Sequence, residues 1–203
     1  MGTESWHAAT TVRSEAAGPS WTGPATTRLT FGVRYLLLTG VLVGAVGLAG
    51  RFLSWPLLTS TIGPTAYIFA AHPDSEAARF RNAVAGHSVA LGCGLAAVAI
   101  FGLTRYPSIS STGSPSLRQV VAAATGVGFT VLLLELVGSH HAPAAATALL
   151  VTTGLAKPGT PLIGLVLGLA LVIALGPLVG RLPLARVLAR VSPSPRQSER
   201  VKA

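Results

Sequence analysis

Apolar residues occur along this chain in long runs separated by short polar links, from Arg34 to Gly180. Four of the runs are close to the ~18 apolar residues that a membrane-crossing helix requires. They cover about residues 35–50, 83–104, 119–139 and 160–179. This pattern predicts an all-α membrane protein with about four transmembrane helices.

Two shorter apolar segments contain prolines that interrupt them. Proline has no backbone N–H and disrupts a helix interior, but it suits the first turn of a helix. Pro64 therefore predicts a short helix over residues 64–71, and Pro143 predicts another over residues 143–155. We expect both proline-started helices to be re-entrant or broken, with N-termini that lie near each other at mid-depth.

The two halves of the chain show a weak internal repeat. Each half reads as a span, a proline-started short helix, a polar turn and a second span, and residues 63–66 correspond to residues 142–145. Paired, proline-interrupted apolar segments in matching positions point to the binding site of a transporter. The repeat therefore directs attention to the two helix starts.

Composition and charge support a bacterial inner-membrane protein with three regions. Hydrophobic residues make up 50% of the chain and charged residues 10%, and the mean hydropathy is +0.62. We expect a disordered cytoplasmic tail over 1–33, a membrane domain over 34–181 and a basic cytoplasmic tail over 182–203. Residues 182–203 hold five of the 15 basic residues, which fits cytoplasmic retention, and the net charge of +9 gives no reason to expect a nucleic-acid partner.

The number of membrane crossings is four if the short helices are re-entrant and six if they pass through. Basic residues are distributed equally well in both versions, and both versions place the two termini in the cytoplasm. A helix over residues 64–71 is only ~12 Å long, far short of a ~30 Å hydrocarbon core. This length favours four crossings.

The residues around the two helix starts could bind a small anion. The first N–H groups of a helix lack intrahelical acceptors and its dipole is positive there, so an anion satisfies both. Histidine and threonine side chains add hydrogen-bond donors. The predicted substrate-binding residues are Gly63, Pro64, Thr65, His87, His140, His141, Pro143 and Thr147. The alternatives are that the prolines only end loops, that His140 and His141 lie among lipid headgroups, and that His87 is a packing residue.

Glu135 is the only carboxylate inside an apolar span. It could couple transport to protons, or it could be a structural tether through Ser139, one helical turn away. We favour the tether. The single cysteine, Cys93, excludes an intrachain disulfide, and we find no motif for catalysis, a cofactor or a metal. We therefore do not expect an enzyme.

Three motifs resemble the HPP family of integral membrane proteins, which is named for a His-Pro-Pro motif. They are Pro56-Leu57 followed by Gly63-Pro64-Thr65-Ala66, Arg81 followed by Gly86-His87, and the run His141-Ala142-Pro143-Ala144-Ala145-Ala146-Thr147-Ala148-Leu149. The resemblance covers about residues 34–180, with Ala142 in place of the middle residue of the name-giving motif.

The resemblance implies a four-spanning membrane protein. Since chloroplast and cyanobacterial members are associated with nitrite transport, it also implies a transporter or channel for a small inorganic anion, nitrite first. The alternative is a non-transporting, membrane-embedded binding or accessory protein. The partners we expect are a small anion, membrane lipid and further copies of this chain in a dimer or trimer.

Overall fold

The computed structural model describes residues 25–179, and this part of the chain is helical without strands. The helices are α1 (Ala25–Leu53), α2 (Ile62–Ala71), α3 (Phe80–Ile100), α4 (Ile109–Thr112), α5 (Leu117–Leu136), α6 (Ala144–Thr152) and α7 (Thr160–Val179), with a 3₁₀ turn at Glu76–Ala78. Four of them, α1, α3, α5 and α7, are long and apolar enough to cross a membrane. The predicted all-α membrane fold is confirmed.

Helix α1 begins ten residues before the predicted span. Residues 25–33, expected in a disordered tail, are helical, and Thr30 Oγ1 donates a hydrogen bond to the carbonyl of Thr26. The apolar run marks only the part of a helix that meets lipid, and it carries no information about a polar extension. The rest of the predicted tails, residues 1–24 and 182–203, lies outside the described residues.

The chain returns along α1 after leaving it, over residues 55–71. Trp55 lies against Gly50 near the end of α1, and the Tyr67 ring lies 6.3 Å from the Tyr35 ring near its beginning. Positions 35 and 50 are ~22 Å apart along a helix axis. The non-helical residues 55–59 and helix α2 therefore together traverse most of the bundle.

The second half of the chain repeats this path. Ser139 bonds to the carbonyl of Asn82 near the start of α3, while Thr152 lies beside Gly126 and thus near Ala97 towards the other end of α3. Positions 82 and 97 are again ~22 Å apart along a helix. Residues 139–153 therefore run through the bundle beside α3.

The four long helices are the predicted transmembrane helices, and these contacts favour the broken-helix alternative over the re-entrant one for the two short segments. The length argument counted only the helical residues of each short segment. An extended chain advances ~3.3 Å per residue, more than twice the rise of a helix, so a few extended residues cover the missing depth. The described segment consequently begins and ends at the same end of the bundle, and its halves run in opposite directions.

Helix α7 packs against the returning chain through glycines. A Cβ at Gly164 would lie 2.7 Å from the Pro56 carbonyl oxygen, one at Gly168 would collide with the Leu57 carbonyl, and Gly176 lies against the Phe69 ring. Backbone carbonyls cannot move aside as a flexible side chain can. The Gly164-x-x-x-Gly168 spacing thus lets α7 approach a non-helical segment closely, which explains how residues 55–59 reach the interior.

We expect Gly168→Ala to lower the free energy of unfolding by about 1–3 kcal/mol, because the new methyl group overpacks this contact. Gly128→Ala on α5 is the matched control. Nothing lies within 4 Å of a Cβ at Gly128, so alanine should be neutral or stabilise the helix by up to about 1 kcal/mol. Thermal unfolding of both variants in one detergent checks the opposite signs. Equal shifts would contradict the packing.

Candidate functional site

The N-termini of the two broken helices meet inside the bundle. The hydroxyl of Thr61, the N-cap of α2, donates to the carbonyl of Pro143, the N-cap of α6, at 3.2 Å. Thr61 Oγ1 also lies 3.4 Å from Thr147 Oγ1. Ile62 packs beside Gly168, near the middle of α7. The predicted proximity of the two helix starts is confirmed, and they meet beside the middle of α7.

Two buried histidines join this meeting point. His87 of α3 is 5% exposed and His141, two residues before the α6 N-cap, is 1% exposed. Their Nε2 atoms are 3.1 Å apart, and the rings meet edge to face with centroids separated by 4.8 Å. Gly86 makes room for this pair, since a Cβ there would lie 3.0 Å from the Cβ of His141.

The outer ring nitrogens identify the proton positions in the neutral pair. Nδ1 of His141 lies 2.7 Å from the carbonyl oxygen of Ala77. A carbonyl only accepts, so this nitrogen carries the proton and Nε2 of His141 is an acceptor. His87 must then donate from Nε2 and accept at Nδ1, where the Thr147 hydroxyl lies at 2.8 Å.

Thr65 completes the cluster. Its hydroxyl donates to the carbonyl of Thr61 at 2.8 Å, which leaves its oxygen free to accept from Nε2 of His87 at 3.2 Å. The hydrogen bonds therefore form one chain, from Thr147 through His87 and His141 to the Ala77 carbonyl. We name the five side chains of Thr61, Thr65, His87, His141 and Thr147 the histidine–threonine cluster.

The first amides of α6 are already hydrogen-bonded. The N–H groups of residues 144–146 donate to the carbonyls of residues 141–143 at 3.0–3.2 Å, in the tight turns that often satisfy a helix start. These amides therefore have partners within the chain, contrary to the expectation that they would lack acceptors. The polar surface at this point comes from hydroxyl and imidazole groups.

The remaining predicted site residues lie around the cluster or outside it. Pro143 is buried and supplies the carbonyl that Thr61 binds, Gly63 is half-buried, and the Pro64 side chain is exposed. His140 is exposed at the end of the bundle, where its Nδ1 lies 3.8 Å from the Glu135 carboxylate. The structure does not bring His140 or Glu135 into the histidine–threonine cluster.

The proposed tether between Glu135 and Ser139 is wrong. Helix α5 ends at Leu136, and Gly138 takes a left-handed conformation with φ of 63°, so Ser139 no longer lies on the helical face above Glu135. The buried Ser139 hydroxyl donates instead to the Asn82 carbonyl at 3.2 Å. A four-residue spacing brings side chains together only while the helix continues.

We therefore expect Glu135→Leu to change the free energy of unfolding by less than about 0.5 kcal/mol, because an exposed ion pair contributes little. Ser139→Ala should cost about 1 kcal/mol through its lost hydrogen bond. Thermal unfolding compares the two. A tether would give the opposite order, with Glu135→Leu the more harmful change.

Sequence reasoning missed two groups of this site. The predicted binding set did not include Thr61 or the Ala77 carbonyl. An N-cap position before a short helix could have identified Thr61. No sequence signal marks a backbone carbonyl as a ligand.

The fold and the site together define a class of protein. Two broken helices, with N-termini that meet at a buried polar cluster inside a bundle of apolar helices, make this a multi-pass membrane protein. The family model of the HPP transmembrane region matches residues 25–187, and the chain belongs to this family. Its family resemblance is thereby confirmed. No curated protein and no solved structure matches the chain significantly.

Proposed function

We propose that this protein transports a small inorganic anion across the bacterial inner membrane, with nitrite as the leading substrate. The observation that carries the proposal is the histidine–threonine cluster at the junction of two broken helices. Broken helices that meet at mid-membrane are a recurrent architecture of substrate sites in transporters. The choice of nitrite as the substrate rests only on the association of HPP family members with nitrite transport.

The cost of burying the cluster supports a functional role. All five side chains are at most 5% exposed, and they lie in the interior of an apolar bundle. Buried polar groups must be fully hydrogen-bonded, whereas apolar residues of similar volume would fill the same space without that requirement. The positive ends of the α2 and α6 dipoles converge on the same point and favour an anion there.

The surroundings of the bundle support lipid and further copies of this chain as partners. Large apolar side chains of the long helices are exposed, among them Leu36, Ile100, Leu132 and Ile163. A bundle this small offers few helices to enclose a pathway, so we include a homodimer or homotrimer in the proposal. We assign both termini to the cytoplasm because the tail over residues 182–203 is basic and the described segment begins and ends at the same end of the bundle.

Uptake into proteoliposomes tests the function. Purified protein is reconstituted and offered nitrite, nitrate, formate, bicarbonate and chloride in turn, with protein-free liposomes as the blank. We expect saturable uptake of at least one anion, nitrite foremost. Silence across the panel with folded protein would contradict transport and favour the accessory role.

Thr61→Val connects uptake to the site. The substitution keeps the shape of the side chain but removes the hydroxyl that links the two helix starts, and we expect at least a tenfold lower uptake rate. Thr130→Val is the matched control, because Thr130 is equally buried but bonds only to the Gly126 carbonyl of its own helix. Equal uptake rates in the two variants would contradict a specific role of this site in transport.

A further inference from the structure

We propose that the His87–His141 pair binds a single proton that travels with the anion, and that Thr147 couples the two. This inference rests on the proposed function and names its coupling ion. The histidine pair takes the place of Glu135 as the candidate proton carrier. The Glu135 side chain is 76% exposed and lies outside the cluster. The substrate class it implies is the anion of a weak acid, carried with one proton and therefore without net charge.

The geometry limits the pair to one added proton. In the neutral pair the only acceptor nitrogens are Nε2 of His141 and Nδ1 of His87, because the other two carry protons. A proton on Nε2 of His141 would place two N–H groups head to head across 3.1 Å. A proton on Nδ1 of His87 meets the Thr147 oxygen at 2.8 Å, and a hydroxyl oxygen can accept.

Protonation of His87 reverses the role of Thr147. In the neutral pair the Thr147 hydroxyl donates its proton to His87. When His87 gains a proton at Nδ1, it becomes the donor and the Thr147 hydroxyl proton is released. Thr61 Oγ1 lies 3.4 Å away, so this proton turns towards the junction of the two helix starts. An anion there gains a donor and a nearby positive charge only when the pair is protonated.

The other ionisable groups around the pair do not compete for this role. At this end of the bundle Asp74, Glu76, Arg79, Arg81, Glu135 and His140 are exposed. Glu76 pairs with Arg79 at 3.2 Å, and His72 is half-buried against the Tyr67 ring. The elements that supply partners to the two rings offer the hydroxyls of Thr65 and Thr147 and the carbonyl of Ala77.

Nitrogen-15 NMR of histidine-labelled protein in lipid bilayers tests the proton site directly. Spectra of His87→Gln and His141→Gln assign the two rings. We expect opposite neutral tautomers, with the proton on Nε2 in His87 and on Nδ1 in His141. On acidification His87 should become cationic while His141 stays neutral. Two cationic rings, or no cationic ring before the protein unfolds, would overturn the proposal.

Nitrite added to the same sample tests the coupling. If the protonated pair binds nitrite tenfold more tightly, the midpoint of His87 protonation should rise by about one pH unit. Thr147→Val should lose this rise and Thr147→Ser should keep it, because serine retains the hydroxyl. Thr130→Val should behave like the unsubstituted protein. A midpoint that nitrite does not move would overturn the coupling.

Transport measurements separate this proposal from the function on which it rests. Nitrite entry through the protein should acidify the vesicle lumen by one proton per nitrite, after subtraction of the protein-free blank. If nitrite enters without acidification, the coupling is wrong and the transport function stands. If no anion of the panel enters, the transport function is wrong, while the NMR titration still decides whether the pair binds one proton.

Discussion

Replacing either His87 or His141 by alanine should lower the rate of nitrite uptake at least tenfold, and replacing both should lower it no further. The two rings share one hydrogen bond and one proton site, so the loss of either removes the whole chain. Residues that act as a unit give strongly non-additive effects of this kind. Initial uptake rates of the two single variants and the double variant, at equal amounts of reconstituted protein, check the expectation.

Stability must be measured beside transport in these variants. Truncating one ring leaves a buried group without its partner, at a cost of about 1–3 kcal/mol, so thermal unfolding should confirm that each variant is folded. His140→Ala is the neighbouring comparison, because that ring is exposed and bonds to none of the cluster residues in the described structure. If the decrease in uptake rate of the double variant equals the product of the two single decreases, the rings act independently.

The local part of the fold follows from sequence because its causes are local. Apolar runs of the required length identify α3, α5 and α7 to within a few residues. Proline in a first turn identifies the starts of α2 and α6. The beginning of α1 was missed by ten residues because a polar helical turn outside the apolar run has no hydropathy signal.

The composition of the site does not follow from sequence because its contacts are long-range. His87 lies 54 residues from His141, and Thr61 lies 86 residues from Thr147. A lone histidine in an apolar run is ordinarily a packing residue. Only the antiparallel path of the two halves brings it against a second imidazole. Glu135 shows the opposite case. It was a candidate because it is the only carboxylate in an apolar span, but its side chain lies outside the cluster.

The length argument for the two short segments left out a physical factor that bears on the prediction of topology in general. The length of a short helix was compared with the thickness of a membrane, and the length of the non-helical residues before the helix was not counted. In this fold the glycines of α7 let those residues pack in the interior, where Pro56 and Leu57 follow the helix closely. Non-helical backbone is tolerated at membrane depth when protein covers it in this way.

Thiol labelling across a membrane should place positions 74 and 111 on faces opposite to those that re-entrant short helices would give them. Single cysteines are introduced by Asp74→Cys, Ser111→Cys and Pro158→Cys into a Cys93→Ala background, at exposed positions in the connections between the longer helices. In the described path the connections at 111 and 158 share one face of the bundle and the connection at 74 lies on the other. A membrane-impermeant maleimide, added to sealed right-side-out and inverted vesicles, should therefore label the thiols at 111 and 158 together.

Position 158 serves as the internal reference, because the two topologies place it on the same face relative to the termini. Re-entrant short helices would place the thiol at 74 on the face of position 158 and the thiol at 111 on the opposite face. Labelling of 74 together with 158 would therefore contradict the broken-helix path. It would also remove the opposed directions of the two halves, and with them the head-to-head meeting of the α2 and α6 starts on which the anion site depends. The three thiols thus test the foundation of the proposed function without any assay of transport.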